Sequence, residues 1–166
     1  MFKMKEQKAG EDNEKKNSKP EQNSGGKLAV IRVRGLVEVN RDITMTLNQL
    51  RLYNRNFCTV IPNNDSSRGM VKKVNDYVTW GEIDDGTFNL LVEKRGEAYK
   101  ERTTDKKSIL KYNKFLSHNG KNIKKYFRLN SPKKGYGRKG IKLPFTSGGA
   151  LGYRAEKIKD LIERMI

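Results

Sequence analysis

Leu28-Ala29-Val30-Ile31-Arg32-Val33-Arg34-Gly35 is the stretch on which the fold turns. Its β-branched content and period of two predict a strand over 28–34, with Ala29, Ile31 and Val33 pointing one way and Leu28, Val30, Arg32 and Arg34 the other. Gly35 ends it. Downstream, Asn40 offers an N-cap for a helix whose apolar stripe is Ile43, Leu47 and Leu50 and which fades near Tyr53-Asn54. Phe57 to Ile61 reads as a second strand stopped by Pro62, and Asn63-Asn64-Asp65-Ser66 supplies turn and cap residues for a second helix striped by Met70, Val74, Tyr77 and Val78. A turn at Asp84-Asp85-Gly86 then leads into a third strand, Phe88 to Glu93, through Leu90, Leu91 and Val92. The result is a β-α-β-α-β core domain over residues 28–96. By pattern alone its strands would be parallel, because helical crossovers usually join parallel neighbours.

On either side the character changes. Residues 1–27 are rich in Lys, Glu, Asn, Gly and Ser, carry few large apolar side chains, and read as a disordered tail. Residues 97–166 read as a basic C-terminal extension, part helical and part irregular. Ile109, Tyr112 and Leu116 trace a helix whose other face holds Lys106, Lys107, Lys111 and Lys114, with a stop at Gly120. Residues 128–149, dense in Gly, Pro, Lys and Arg, predict an irregular loop. Ile158, Leu161, Ile162 and Met165 give a final amphipathic helix that docks back onto the domain.

The charge is concentrated in that extension. The chain of 166 residues has 36 Lys and Arg against 19 Asp and Glu, a net +17, yet residues 97–166 hold 19 bases and 6 acids while residues 28–96 hold 10 and 8. From Lys106 to Lys142 there are 13 basic residues and no acid, a run that nothing internal neutralises. Such a segment calls for a polyanion, and in its absence self-repulsion should leave it unordered in the free protein. Tyr112, Tyr126, Phe127, Tyr136 and Phe145 lie among these bases as candidates for stacking on unpaired nucleotides, Tyr136 foremost because glycines flank it.

Other classes are disfavoured. Gly135-Tyr136-Gly137-Arg138-Lys139-Gly140 spells G-x-G-x-x-G, but Ser131-Pro132-Lys133-Lys134 stands where a dinucleotide site needs a buried strand. It reads as a glycine loop carrying cations to a nucleic-acid backbone. His118, the one histidine, has no Cys or carboxylate at ligand spacing, so no metal is expected, and Asp84-Asp85 is turn chemistry rather than a catalytic pair. Cys58, in Phe57-Cys58-Thr59-Val60-Ile61, reads as a buried small hydrophobe. An RRM-like module is disfavoured because strands one and three, as read here, lack paired aromatics. No apolar run approaches a membrane span or a secretory signal, so an intracellular, soluble protein with no cofactor, no small-molecule substrate and no enzymatic activity is expected.

The first stretch together with Ser67-Arg68-Gly69-Met70-Val71-Lys72-Lys73-Val74 resembles the universal large-subunit ribosomal protein L-thirty family. Phe127-Arg128-Leu129-Asn130-Ser131-Pro132 and Gly152-Tyr153-Arg154 resemble its longer archaeal type, whose eukaryotic counterpart is called L-seven. The resemblance covers residues 28–166. It implies an α+β, ferredoxin-like domain with a three-stranded antiparallel sheet, and a cytoplasmic structural constituent of the large ribosomal subunit that binds large-subunit rRNA near the 5S rRNA and touches neighbouring ribosomal proteins. Arg68, Gly69 and Lys72 match its core motif, while Arg41, Arg51 and Arg55 are sparser than the basic first helix of bacterial members. The expected RNA contacts are therefore Arg32, Arg34, Arg51, Arg55, Arg68 and Lys72 in the domain, and in the extension Lys121, Lys124, Lys125, Arg128, Lys133, Lys134, Tyr136, Arg138, Lys139, Lys142 and Arg154.

Overall fold

The computed structural model describes residues 26–104, 109 and 112–166. The tail over 1–25 and most of the lysine-bearing stretch over 105–111 lie outside the described residues. Strand β1 (Lys27–Arg32) is followed by helix α1 (Arg41–Gln49), β2 (Phe57–Pro62), α2 (Asp65–Lys73), β3 (Val78–Ile83) and α3 (Asp85–Arg95). Then come a hairpin of β4 (Phe115–His118) and β5 (Lys121–Lys124), short strands β6 (Phe127–Arg128) and β7 (Gly152–Tyr153), and the terminal α4 (Ile158–Met165).

The β-α-β-α-β order of the core is present, but its third strand lies earlier than the sequence suggested. Val78, read as the end of a helical stripe, opens β3, and Phe88 to Glu93, read as a strand, lies within α3. The Asp84 carboxylate accepts the backbone N–H of Thr87 at 3.1 Å and also its hydroxyl, so the apparent turn is a helix N-cap. Phe88, Leu91 and Val92 then recur at helical spacing against the core. At the other end, α2 stops at Lys73, and the Tyr77 carbonyl instead serves the N–H of Val33 at 2.9 Å, tying the start of β3 to the end of β1.

The sheet corrects a further expectation. It has five strands in the order β6-β2-β1-β3-β7, not three. β2 and β3 both run antiparallel to β1, with Val30 opposite Thr59 on one side and Trp80 on the other. β6 is antiparallel to β2, and β7 is parallel to β3, so the sheet is mixed. Pattern alone would have made the central strands parallel; they are antiparallel.

Helices cover both faces. Ala29, Ile31 and Cys58 pack with Phe88 and Leu91 of α3 and with Ile158, Leu161, Ile162 and Met165 of α4. On the opposite face Val30 and Val78 pack with Leu47, Leu50, Val71 and Val74 around α1 and α2. β1 is therefore buried on both sides, which is why Leu28–Val33 reads as a near-continuous apolar run. Phe127, Leu129 and the α4 residues belong to the same cluster as Ala29 and Ile31, so the segment after residue 96 supplies part of the core and both sheet edges. Although the extension was expected to be unordered without RNA, its Phe127, Leu129 and α4 side chains pack into the core, while most of 130–148 is exposed.

The helix expected through Ile109, Tyr112 and Leu116 gives way, over its described part, to the β4–β5 hairpin. Gly120, read as a helix stop, adopts a φ of 73° and Asn119 before it 49°, the left-handed pair of a two-residue hairpin turn. Leu116 pairs with Ile123 across it.

Candidate nucleic-acid interface

The basic segment is built from its anchors outward. Phe127 and Leu129 are buried, and beyond them the Asn130 N–H donates to the Met165 carbonyl at 2.9 Å and the Lys133 N–H to that of Arg164 at 3.0 Å. The carbonyls at the end of α4 are thereby satisfied by the loop. Arg164 returns the contact, its Nη1 donating to the carbonyls of Lys133 (3.2 Å) and Gly135 (3.0 Å). Farther along, a Cβ on Gly137 would stand 2.7 Å from the Gly149 carbonyl oxygen, so only glycine lets the two arms of the loop touch. The loop's backbone is held inward, while Lys133, Lys134, Arg138, Lys139 and Lys142 are exposed and have no carboxylate partner among the described residues. Five cations on one tethered loop form a surface matched to a phosphate backbone.

The other expected contacts divide by what they already hold. Arg55 is exposed, next to Asn56, whose side chain accepts the Tyr136 hydroxyl, so it adjoins the loop. Lys72 and Lys121 are exposed and free of carboxylates among the described residues. Arg68 is half-buried with Nε on Asn63 Oδ1 at 2.6 Å, and Gly69 beside it meets nothing within 4 Å of a built Cβ, leaving the α2 surface open there. Arg34 lies 4.8 Å from the Tyr77 ring centroid and donates to the Asp76 carbonyl. Lys124 (2.9 Å) and Arg128 both bind Glu97, and these bonds hold its carboxyl below the usual range. Arg51 donates to the carbonyls of Asn113 and Lys114, and Lys125 to the Asn113 side chain, so both steady the turn that leads into the hairpin.

Arg32 and Tyr136 are corrected as expected RNA contacts, and Arg154 is drawn inward. Arg32 has no exposed surface: its Nη1 donates to the Leu52 and Tyr53 carbonyls at 2.8 Å each and its Nε to that of Arg34 at 2.9 Å. It clamps the chain leaving α1 and cannot reach a phosphate. Arg154 is 4% exposed, with Nε on Thr79 Oγ1 at 2.8 Å and Nη2 on the Tyr136 and Ala150 carbonyls at 3.0 Å. Tyr136, expected as the open stacking ring, packs against the core with its hydroxyl bound to Asn56, and burial raises its pKa.

Reading the third strand too late also hid an aromatic pair. Trp80 on β3 and Tyr153 on β7 stand with ring centroids 4.6 Å apart, each pinned by its polar end, Trp80 Nε1 to Asn75 and Tyr153 Oη to Glu82. β1 carries no aromatic, so the pair links β3 to the edge strand β7. His118 is half-buried, edge-on to Phe88 at 5.5 Å. Cys58 is buried, which pushes its thiol up to about 12. No described helix is long and apolar enough to cross a membrane.

Comparison with known proteins agrees with this geometry. The family model described as ribosomal protein L30p/L7e matches residues 28–78, from β1 to the start of β3. Three archaeal proteins, each called large ribosomal subunit protein uL30, align over most of the chain. That of Nanoarchaeum equitans is 45% identical over 155 residues, covering 83% of this chain and 97% of its own. That of Methanococcus vannielii is 47% identical over 151 residues (83% and 98%), and that of Methanopyrus kandleri 40% over 149 (81% and 100%). With this identity sustained from the first strand into the extension, the chain belongs to the ribosomal protein L30p/L7e family and is similar to its archaeal members.

Proposed function

We propose that this chain is a structural constituent of the large ribosomal subunit, in the cytoplasm, and that it binds large-subunit rRNA through the 133–142 loop, Arg55, Lys121 and the Arg68–Lys72 face of α2. The observation that carries this reading is the acid-free loop whose backbone is anchored to α4 while its five cations point outward. Arg55 adds a sixth beside it. The sheet-and-helix body sets position, in a ferredoxin-like arrangement of β1, β2 and β3, and the loop neutralises phosphates during assembly. A place among large-subunit rRNA and neighbouring ribosomal proteins draws on the relatives' shared name, and proximity to the 5S rRNA is proposed from the resemblance of residues 28–166 alone. Catalysis is no part of it: Gly135–Gly140 neither follows a buried strand nor opens a helix, so it offers no coenzyme cradle.

Sedimentation of cell lysate through gradients of rising salt tests the proposal. The protein is expected to travel with the large subunit in stoichiometric amount and to stay through moderate salt. Its appearance only in the free fractions would overturn the reading.

A further inference from the structure

Between the glycine loop and α4 lies a recess of about 500 Å³, and its lining is unusual in charge. Five cations reach it, Lys134, Arg138, Arg154, Lys157 and Arg164, against one carboxylate, Asp160. Asp160 is already engaged, 3.2 Å from Arg164 Nη2. Arg154 is nearly enclosed, yet its Nε and Nη2 are the nitrogens with protein partners, and its Nη1 is neither hydrogen-bonded nor sealed from solvent among the described residues. Its guanidinium also lies 4.4 Å from the Phe145 ring, with Lys157 5.9 Å from the same ring.

We propose that this recess is a phosphate-binding site, with Arg154 Nη1 at its back and Lys134, Arg138 and Lys157 at its mouth. This rests on the RNA-binding reading and sharpens it: the loop's cations act as a diffuse field, whereas the recess seats one phosphate group in a fixed position. Burying a guanidinium beside a second arginine is unfavourable unless an anion joins them. The strain is visible in Arg154, held down to about 10 by burial and then by the charge of Arg164. A phosphate relieves both effects at once through charge-assisted hydrogen bonds. The group could come from the RNA backbone or from a free small anion, and the two are separable by experiment.

The test uses the full chain with side-chain guanidinium resonances followed by NMR during titration with inorganic phosphate. The Arg154 Nε–H signal is expected to shift saturably. R138A/K157A, which removes two exposed mouth cations, should require roughly tenfold more phosphate, the equivalent of one charge-assisted bond. K94A/K100A removes the same charge at exposed lysines outside the recess and the loop and should behave as wild type. An unmoved Arg154 signal, or equal weakening in both double variants, would overturn the site. An rRNA fragment that produces the same Arg154 shift identifies the phosphate as backbone, and a shift from inorganic phosphate alone makes it a small-anion site. If rRNA fails to bind with any salt dependence while the phosphate shift persists, the recess stands and the ribosomal reading falls. Normal rRNA binding with no response at Arg154 has the reverse meaning.

Discussion

Arg32 and Lys139 show how little a residue's charge says about its work. Both are cations in basic surroundings, but Arg32 is enclosed and bonded to three carbonyls, whereas Lys139 is exposed without a carboxylate partner among the described residues. Arg32→Met leaves those carbonyls short of donors and should cost about 2–4 kcal/mol, read from denaturant unfolding, while rRNA affinity of the folded fraction stays as it was. Lys139→Ala should do the opposite, with stability unchanged within about 0.5 kcal/mol and affinity lowered. If Arg32→Met weakened RNA binding at unchanged stability, the clamp assignment would be wrong. Period alone put Arg32 beside Val30, and since β1 is covered on both faces, that alternate side led into the interior. What the residues could not reveal was the cover on that side, because Leu47, Leu50, Val71 and Val74 around α1 and α2, which make it, are remote in sequence. Cys58 was legible for the complementary reason, as its apolar neighbours suit burial on either face. With its thiol at about 12, iodoacetamide at pH 8 should label it only after unfolding.

At the scale of elements, the clearest misreading has a local physical cause. Phe88 to Glu93 is a short apolar run, and such runs are ambiguous between strand and helix until a cap decides. Here Asp84 decides, because a carboxylate three residues before Thr87 closes the first turn. Its hydrogen bonds to Thr87, helped by Lys159, depress its pKa to about 2. A depressed carboxylate contributes stability that is complete above its unfolded value near pH 4 and is lost as pH falls towards 2. Asp84→Asn keeps a capping oxygen but removes the titration, so melting curves between pH 2 and 5 should show a shallower acid limb for the variant. Superimposable acid limbs would argue against the cap. The hairpin was equally open to reading, since Asn119-Gly120 between Phe115–His118 and Lys121–Lys124 is a strong short-range turn signal. The run of lysines before it drew the interpretation towards a helix instead.

Across the whole molecule, the segment that carries the charge also closes the core. Ile158, Leu161, Ile162 and Met165 cover Ala29 and Ile31, β6 and β7 flank the sheet, and Arg95 Nη2 holds the Ile166 carbonyl at 2.5 Å. A chain ending at residue 126 should therefore lose its cooperative unfolding transition, as judged by calorimetry. For the intact free protein, hydrogen exchange should protect α4 amides about as well as those of β1, and exchange of α4 at unfolded rates would show that self-repulsion wins after all. The amphipathic stripe of α4 was readable in the sequence, as was the concentration of cations over 106–142. The partition of those cations into outward ones and inward braces was not, because it depends on where the loop meets α4. That partition is the central claim, and the salt dependence of binding to large-subunit rRNA tests it most directly. Replacing Lys133, Lys134, Arg138, Lys139 and Lys142 with alanine should reduce the slope of log affinity against log salt by about 3.5 to 4.5, at roughly 0.7 to 0.9 per neutralised phosphate. A wild-type slope near zero, or one the five replacements leave unaltered, would contradict the account.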